Sequence, residues 1–324
     1  LSLGSSSLHD TMGDWNHYAI TMHNSASNFI THLYVNGRLS DTANKVAYDL
    51  STSTPHAARA WPRAIDAHYS SSANLQGWWR FNKNDADGLL DMTDSSGNGN
   101  DGTATAYIPT LNTTNYPSKY VQSGEASAEF DGSNDRVTIG TADLWNGLIG
   151  NDPYKPSTQQ MTLAAWVRKT AADATPAESI IFDFGNGDIR LFVNNDEKII
   201  FYARWGPETV TGDTGKIIQW KTSTGAIDIN EWYHIALTYD VSSPSNAPIL
   251  YVNGQVKNWA VEGTPSGVFD GIKITKCYIG GNNSGTGKRW EGQLADCAIW
   301  NSILSEDEIQ SIYSAATLTS TTYT

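Results

Sequence analysis

The chain has 324 residues, enough to bury a large core without support from disulfides or metals. Its 34 acidic against 21 basic residues leave a formal net charge of -13, so the long-range field repels phosphate backbones and argues against nucleic acid as a partner. Charged residues make up only 17%, while 28 Gly, 12 Trp and 15 Tyr supply turn formers and aromatics, a balance that favours β-structure over helical bundles.

In chain order, the opening LSLGSSSLHD has no basic stretch followed by an apolar core and does not read as a secretion signal, and a start at Leu1 is what processing or a fragment would leave. No later run approaches the ~18 consecutive apolar residues of a membrane span, so no membrane insertion is expected. Residues 14–37, DWNHYAITMHNSASNFITHLYVNG, match residues 231–254, EWYHIALTYDVSSPSNAPILYVNG, at ten of 24 positions without a gap. Each string is an alternating strand, a polar loop and a second strand ending in Asn-Gly, the pattern of an antiparallel hairpin followed by a tight turn. The hairpin is used twice, and the second copy lies in a full β-rich unit placed at about 76–316.

Within that unit the patterning predicts strands at 76–82, 125–130, 135–140, 161–169, 178–184, 188–193, 197–205, 216–221, 232–240, 248–253, 272–279 and 292–300. Gly, Asn, Asp and Pro clusters separate them, which is the spacing of a two-sheet antiparallel sandwich. The exception is 304–315, LSEDEIQSIYSA, where Ser305 and Glu308 form a capping box and Leu304, Ile309, Ile312 and Tyr313 make an apolar stripe. A short helix is expected there, with 317–324 as a tail. Trp166, Trp232 and Trp300 alternate with apolar neighbours and are expected in the core.

GWWRFN at 77–82, DSSGNGNDGT at 94–103, AEFDGSNDRVTIG at 128–140, MTLAAWVRK, EWYHIALTYD with LYVNG, CYIGGN at 277–282 and EGQLADCAIWNSILSEDEI at 291–309 follow one another in a familiar order. In that order they resemble the laminin-G-like jelly rolls of the concanavalin-A-like lectin and glucanase superfamily, over essentially 76–316. The resemblance implies an all-β, two-sheet antiparallel jelly-roll sandwich with a short C-terminal helix. Residues 1–75 resemble only the later part of a second unit. Either they belong to a preceding jelly roll in a tandem array, or they add strands to the complete one.

The resemblance also implies sites. Many members of the superfamily hold one structural calcium ion where the opening segment, the Asp-Gly hairpin and the last strand meet, which carries over to Asp94, Asn98, Asp131, Gly132 and Asp296; ordinary Asp and Asn turns are the alternative. Cys277 and Cys297 fall on strands that the resemblance puts at the end of the jelly roll, where they either form a disulfide or stay as two buried thiols. Jelly-roll lectins hold sugars on rim loops with aromatic faces and amides, which points to Trp205, Trp259 and Trp290 with Asn282 and Asn283, unless those tryptophans cap the ends of the core.

Glucanases of the superfamily carry a Glu-x-Asp-x-x-Glu strand that supplies paired carboxylates, and this sequence lacks it, so no catalysis is expected. The reading is a non-catalytic extracellular or particle-surface module for glycan or protein ligands, at a cell or virion surface, with tandem-domain neighbours or a homo-oligomer as further partners. The alternatives are a structural or decoration protein of a virion, tail fibre or filament, and an accessory domain of a glycoside hydrolase.

Overall fold

The computed structural model describes residues 74–82, 87–117, 126–140, 158–171, 178–185, 189–205, 216–265, 276–282 and 288–317, and the backbone of three strands within 18–46. The chain divides into two compact units, Leu1–Trp61 and Pro62–Thr324. In the first, β1 (Tyr18–Ser25), β2 (Asn28–Val35) and β3 (Arg38–Val46) form an antiparallel sheet in that order.

The second unit carries β4 (Leu75–Trp79), β5 (Thr110–Asn112), β6 (Ser127–Asp131), β7 (Val137–Ile139), β8 (Gln160–Lys169), β9 (Ser179–Phe184), β10 (Ile189–Val193), β11 (Ile199–Trp205) and β12 (Lys216–Lys221). It continues with β13 (Tyr233–Asp240), β14 (Ile249–Val252), β15 (Gln255–Lys257), β16 (Ala260–Glu262), β17 (Cys277–Ile279), β18 (Glu291–Trp300) and one helix, α1 (Glu306–Thr317). One sheet has the order β16-β12-β11-β10-β9-β17-β7, and the other β15-β14-β13-β8-β18-β6-β5 with β4 also on β18. These are the two antiparallel layers of a jelly-roll sandwich, and the patterned strands lie close to their expected spans, except that of 272–279 only Cys277–Ile279 is strand and 272–275 lie outside the described residues. The short strands β5, β15 and β16 were not foreseen, because three-residue, partly polar segments carry no periodicity. β15 pairs with β14 in one sheet and β16 with β12 in the other, so the chain changes sheets at Asn258 and Trp259.

The repeated hairpin is repeated in register. Tyr18↔Val35, Ala19↔Tyr34 and Ile20↔Leu33 in the first copy correspond to Ile235↔Val252, Ala236↔Tyr251 and Leu237↔Leu250 in the second. The following pairs, Val35↔Arg38 and Val252↔Gln255, keep the same offset.

Strand alternation sorts the second unit's apolar residues into an inner and an outer set. Leu163, Ala165 and Val167 of β8, Ile235 and Leu237 of β13 and Leu294 and Ile299 of β18 face the main core, where they meet Ile181, Phe182, Leu191, Phe201 and Ile279 of the opposite sheet. Their neighbours Ala164, Trp166, Ala236, Ala298 and Trp300 form a second cluster on the other side, with Trp78 of β4, Leu304 and Ile309 and Ile312 of α1. The small alanines leave room for α1 to lie on the sheet. Its start is the expected capping box: the Ser305 backbone N–H donates to the Glu308 carboxylate at 2.7 Å, and the Glu308 N–H donates to Ser305 Oγ at 3.3 Å.

Cys277 of β17 and Cys297 of β18 belong to opposite sheets and line the main core as free thiols, so the disulfide alternative is not realised. Burial pushes both thiols well above their ordinary range. Native protein at pH 8 should therefore leave a thiol reagent unreacted and release two equivalents on unfolding in denaturant; zero equivalents would show a bridge.

Candidate functional site

Calcium ligands and sugar platforms expected from the sequence do not assemble. Asp94 is the hub of a turn: one carboxylate oxygen accepts the N–H groups of Trp78 and Ser96 at 2.9 Å, the other accepts Ser96 Oγ at 2.8 Å and the Asn100 N–H at 3.0 Å. Asn98 donates to the Leu75 carbonyl at 2.7 Å. Asp131 accepts the N–H groups of Ser133 and Asn134 in its own hairpin, while Gly132 donates to the Trp290 carbonyl. Asp296 accepts the Trp78 indole N–H at 3.0 Å. Among the described residues no three His, Cys, Asp or Glu side chains converge on a point, so the carboxylates alone do not form a calcium cage. Asp94 and Asp131 do the turn chemistry of Asp beside Gly, while Asn98 and Asp296 tie distant backbone and indole groups together.

Trp205 and Trp290 are 1% and 0% exposed, and Trp205 donates its indole N–H to the Tyr239 hydroxyl at 3.0 Å inside the core. They are core residues rather than ligand platforms. Trp259 is half-buried, stacks on Phe201 at 6.5 Å and donates to the Pro248 carbonyl. Asn282 is fully buried and accepts a hydrogen bond from Arg289 at 3.0 Å, and Asn283 lies outside the described residues. Trp205→Ala and Trp290→Ala should each cost about 3–5 kcal/mol of stability by denaturant unfolding. A loss below about 1 kcal/mol would contradict their core placement.

A different cleft, of 430 Å³, opens on the outer face of the β8/β13/β18 sheet. Tyr116, Trp166, Trp232 and Tyr313 supply aromatic walls, and Asn115, Arg168, Asn230, Glu231 and Asn253 supply polar groups. Each wall has a local cause. The loop bearing Asn115 and Tyr116 is shaped by Asn112, whose side-chain oxygen accepts the N–H groups of Thr114 at 2.9 Å and Asn115 at 2.8 Å. Asn253 ends the β14 hairpin in the left-handed region at φ 52°, and its side chain accepts the His234 N–H at 2.9 Å. At the following Gly254, φ is 76° and a Cβ would come within 3.0 Å of the Tyr313 ring, so only glycine lets the turn and helix meet here.

Arg168 is fixed in place. Its Nε–H donates to the Asn230 carbonyl at 2.9 Å, Nη2 to Asn230 Oδ1 at 3.2 Å and Nη1 to Gln293 Oε1 at 2.7 Å. Gln293 sits opposite it on β18 and donates onward to Glu129, which also accepts from Asn112. Beside that pair, Gly292 at φ 127° lets β18 approach, since a Cβ there would lie 2.1 Å from the Arg168 carbonyl oxygen.

Beneath Trp166 and Tyr313 lies His234. Its ring centre is 5.4 Å from that of Trp166 and 6.2 Å from that of Tyr313, and the two larger rings stack at 5.8 Å. His234 is fully buried, and neither its ring nitrogens nor the Trp166 indole N–H has a hydrogen-bond partner among the described residues. Burial lowers the imidazole pKa from 6.5 to about 3, so it is neutral at neutral pH. The unfolded chain binds a proton below about pH 6.5 that the folded chain refuses until about pH 3, so this group stabilises the fold above pH 6.5 and that contribution falls with acidification. In His234→Gln the stability difference from the wild-type chain should narrow by about 1.4 kcal/mol per pH unit between about pH 6 and 4, measured by urea unfolding. A difference independent of pH would place a charged imidazole in the fold.

Trp166 and Trp300 are buried core residues as expected, at 3% and 0% exposed, although Trp166 also shows a face to the cleft; Trp232 is only half-buried and lines the cleft beside it. One sequence signal marked it. In the repeated hairpin the identities Trp232, His234, Ala236 and Thr238 fall on alternate residues, the first just before β13 and the others in it, and Asn253 follows in the turn. The residues between them, Tyr233, Ile235, Leu237 and Tyr239, differ from their counterparts. The repeat has kept the outer face of this strand and let the inner face vary.

Two antiparallel sheets packed as a jelly roll are the architecture that lectins and glucanases share. Residues 131–310, more than half of the chain, match the laminin-G family of the concanavalin A-like lectin/glucanases superfamily, and the chain belongs to that family. No curated protein sequence matches the chain. Among solved structures it is similar to the receptor binding domain of botulinum neurotoxin D, at 14% identity and a TM-score of 0.51 over 78% of this chain and 54% of that one. The receptor binding domain of the C/D mosaic serotype matches at 13% and 0.50, over 74% of this chain and 51% of that one. The chain therefore spans about half the length of these toxin domains. Domain 4 of AbnA, a GH43 extracellular arabinanase from Geobacillus stearothermophilus, matches at 16% identity and a TM-score of 0.46, over 74% of this chain and 98% of that domain. At such identities the solved structures speak to fold alone.

Proposed function

We propose that this protein is a non-catalytic binding module that holds a saccharide in the outer-face cleft and works at an extracellular or particle surface. The observation that carries the reading is the pairing, in one cleft, of half-buried Tyr116, Trp232 and Tyr313 with the amides of Asn115, Asn230 and Asn253. Aromatic faces suit the C–H surfaces of pyranose rings, and amides donate to and accept from hydroxyl groups. Glycoside hydrolysis needs two carboxylates flanking the bond, and the lining of the cleft offers one, Glu231, which supports binding without turnover.

Glycan-array screening followed by calorimetry tests this. Trp232→Ala and Tyr116→Ala should weaken saccharide binding about tenfold or more while melting stays within a few degrees of the wild-type chain. Binding unaffected by both changes, or a labelled oligosaccharide that is cleaved, would overturn the reading.

A further inference from the structure

Arg168 is the unusual group in the cleft. In a chain of net charge -13 it has no carboxylate within ion-pair distance among the described residues: the ion pairs there join Lys169, Arg190, Lys198, Lys221 and Lys288 to acidic partners, and none includes Arg168. Arg190 shows what this fold does with a structural guanidinium. Arg190 is 3% exposed and lies between Asp183, at 2.7 Å, and Glu178, so its charge is neutralised inside the protein.

Arg168 is held by three bonds, and every acceptor is neutral: a backbone carbonyl and two side-chain amides. The nearby carboxylate of Glu129 is engaged by Gln293 and Asn112 instead. Glu231 lines the cleft too, but it is exposed to water and makes no ion pair with Arg168. Three of five N–H donors are thus used to fix the guanidinium plane, and two remain for a ligand. A cation immobilised before binding, beside aromatic walls and unsatisfied by any internal anion, is preorganised for a planar anion.

We propose that the cleft selects acidic saccharides, with a carboxylate of a uronic- or sialic-type sugar on Arg168 and the sugar ring against Trp232 or Tyr116. This rests on the saccharide reading above and narrows it. The two free donors of the fork match the two oxygens of a carboxylate, and such charge-assisted pairs are the stronger hydrogen bonds available to a binding site.

The experiment titrates the whole chain by calorimetry with galacturonate, glucuronate-containing and sialylated oligosaccharides, each paired with its carboxyl-reduced counterpart, and with sulfated oligosaccharides that lack a carboxylate. At least one acidic probe should bind about tenfold to a hundredfold tighter than its reduced form. In Arg168→Gln and Arg168→Lys that preference should shrink toward unity, with melting curves reporting whether each variant folds. The acid-to-reduced comparison is made on the wild-type chain and does not depend on either variant. Equal binding of acidic and reduced forms, weakened in Trp232→Ala, would overturn the acidic preference and leave the saccharide site standing. Preference for sulfated over carboxylated probes would overturn the carboxylate assignment. No binding by any probe, acidic or neutral, would overturn both.

Discussion

Three central strands, β8, β13 and β18, must be buried on both faces, and the rest of the second unit follows from that demand. Their inner residues meet the opposite sheet, while their outer residues, small at Ala164, Ala236 and Ala298 and large at Trp166 and Trp300, need a second cover. The chain supplies it by closing with α1, whose Ile309 and Ile312 lie in the outer cluster. The link into the helix is tied to the same sheet, since Thr162 Oγ1 donates to the Ser302 carbonyl at 2.7 Å and accepts the Leu304 N–H at 3.0 Å. Jelly rolls are usually described as two layers around one core; here a third layer is laid over part of one outer face.

The cleft is where that third layer stops. The helix covers the outer cluster as far as Tyr313, the 112–117 loop reaches in from the other side, and the sheet between them keeps its aromatic floor without a complete roof. Polar groups at the floor are ordered by the same strands. Arg168 and Gln293 face each other across the β8–β18 ladder, and Asn253 is placed by the turn that ends β14. A ligand entering would meet side chains whose positions are already determined by sheet register and turn geometry, which lowers the entropy lost on binding.

The duplicated hairpin adds a second line of reasoning to the same face. Identical offsets in the β1–β2 and β13–β14 registers mean that the paired residues of the two hairpins fall on equivalent sides of their sheets. Of the shared positions, Ala and Thr lie on one face of the strand in both copies, and in the second copy that face also holds His234, with Trp232 just before the strand. A core position accepts any apolar side chain of suitable volume, as the exchange of Ile20 for Leu237 illustrates. A buried imidazole flanked by two aromatic rings is less replaceable, because its polar atoms and its shape are both constrained.

Much of the architecture is written in local pattern. Period-two alternation located the long strands, Asn-Gly marked the hairpin turns, and Ser305 with Glu308 announced the helix, since each of these depends on residues a few positions apart. The composition and motif order also carried the sandwich class. The site was not legible in the same way. Alternation says that Trp166 and Trp205 each face one side of a sheet, but it cannot say which side meets the opposite sheet and which meets a helix arriving more than a hundred residues later. The resemblance to jelly-roll lectins points to Trp205 and Trp290 as rim platforms, yet the sheet packing draws both rings inward. Asp94, Asp131 and Asp296 have the residue types of a calcium site, and only the fold shows that they accept N–H groups of the protein, from their own turns at Asp94 and Asp131 and from the distant Trp78 indole at Asp296. The sequence by itself determined the strands, their phases and the closing helix, through short-range sterics and hydrogen bonding. Which phase became core, which became cleft, and that Arg168 would stand there without a carboxylate partner, were decided by tertiary packing, because burial and charge pairing depend on neighbours that are distant in the chain.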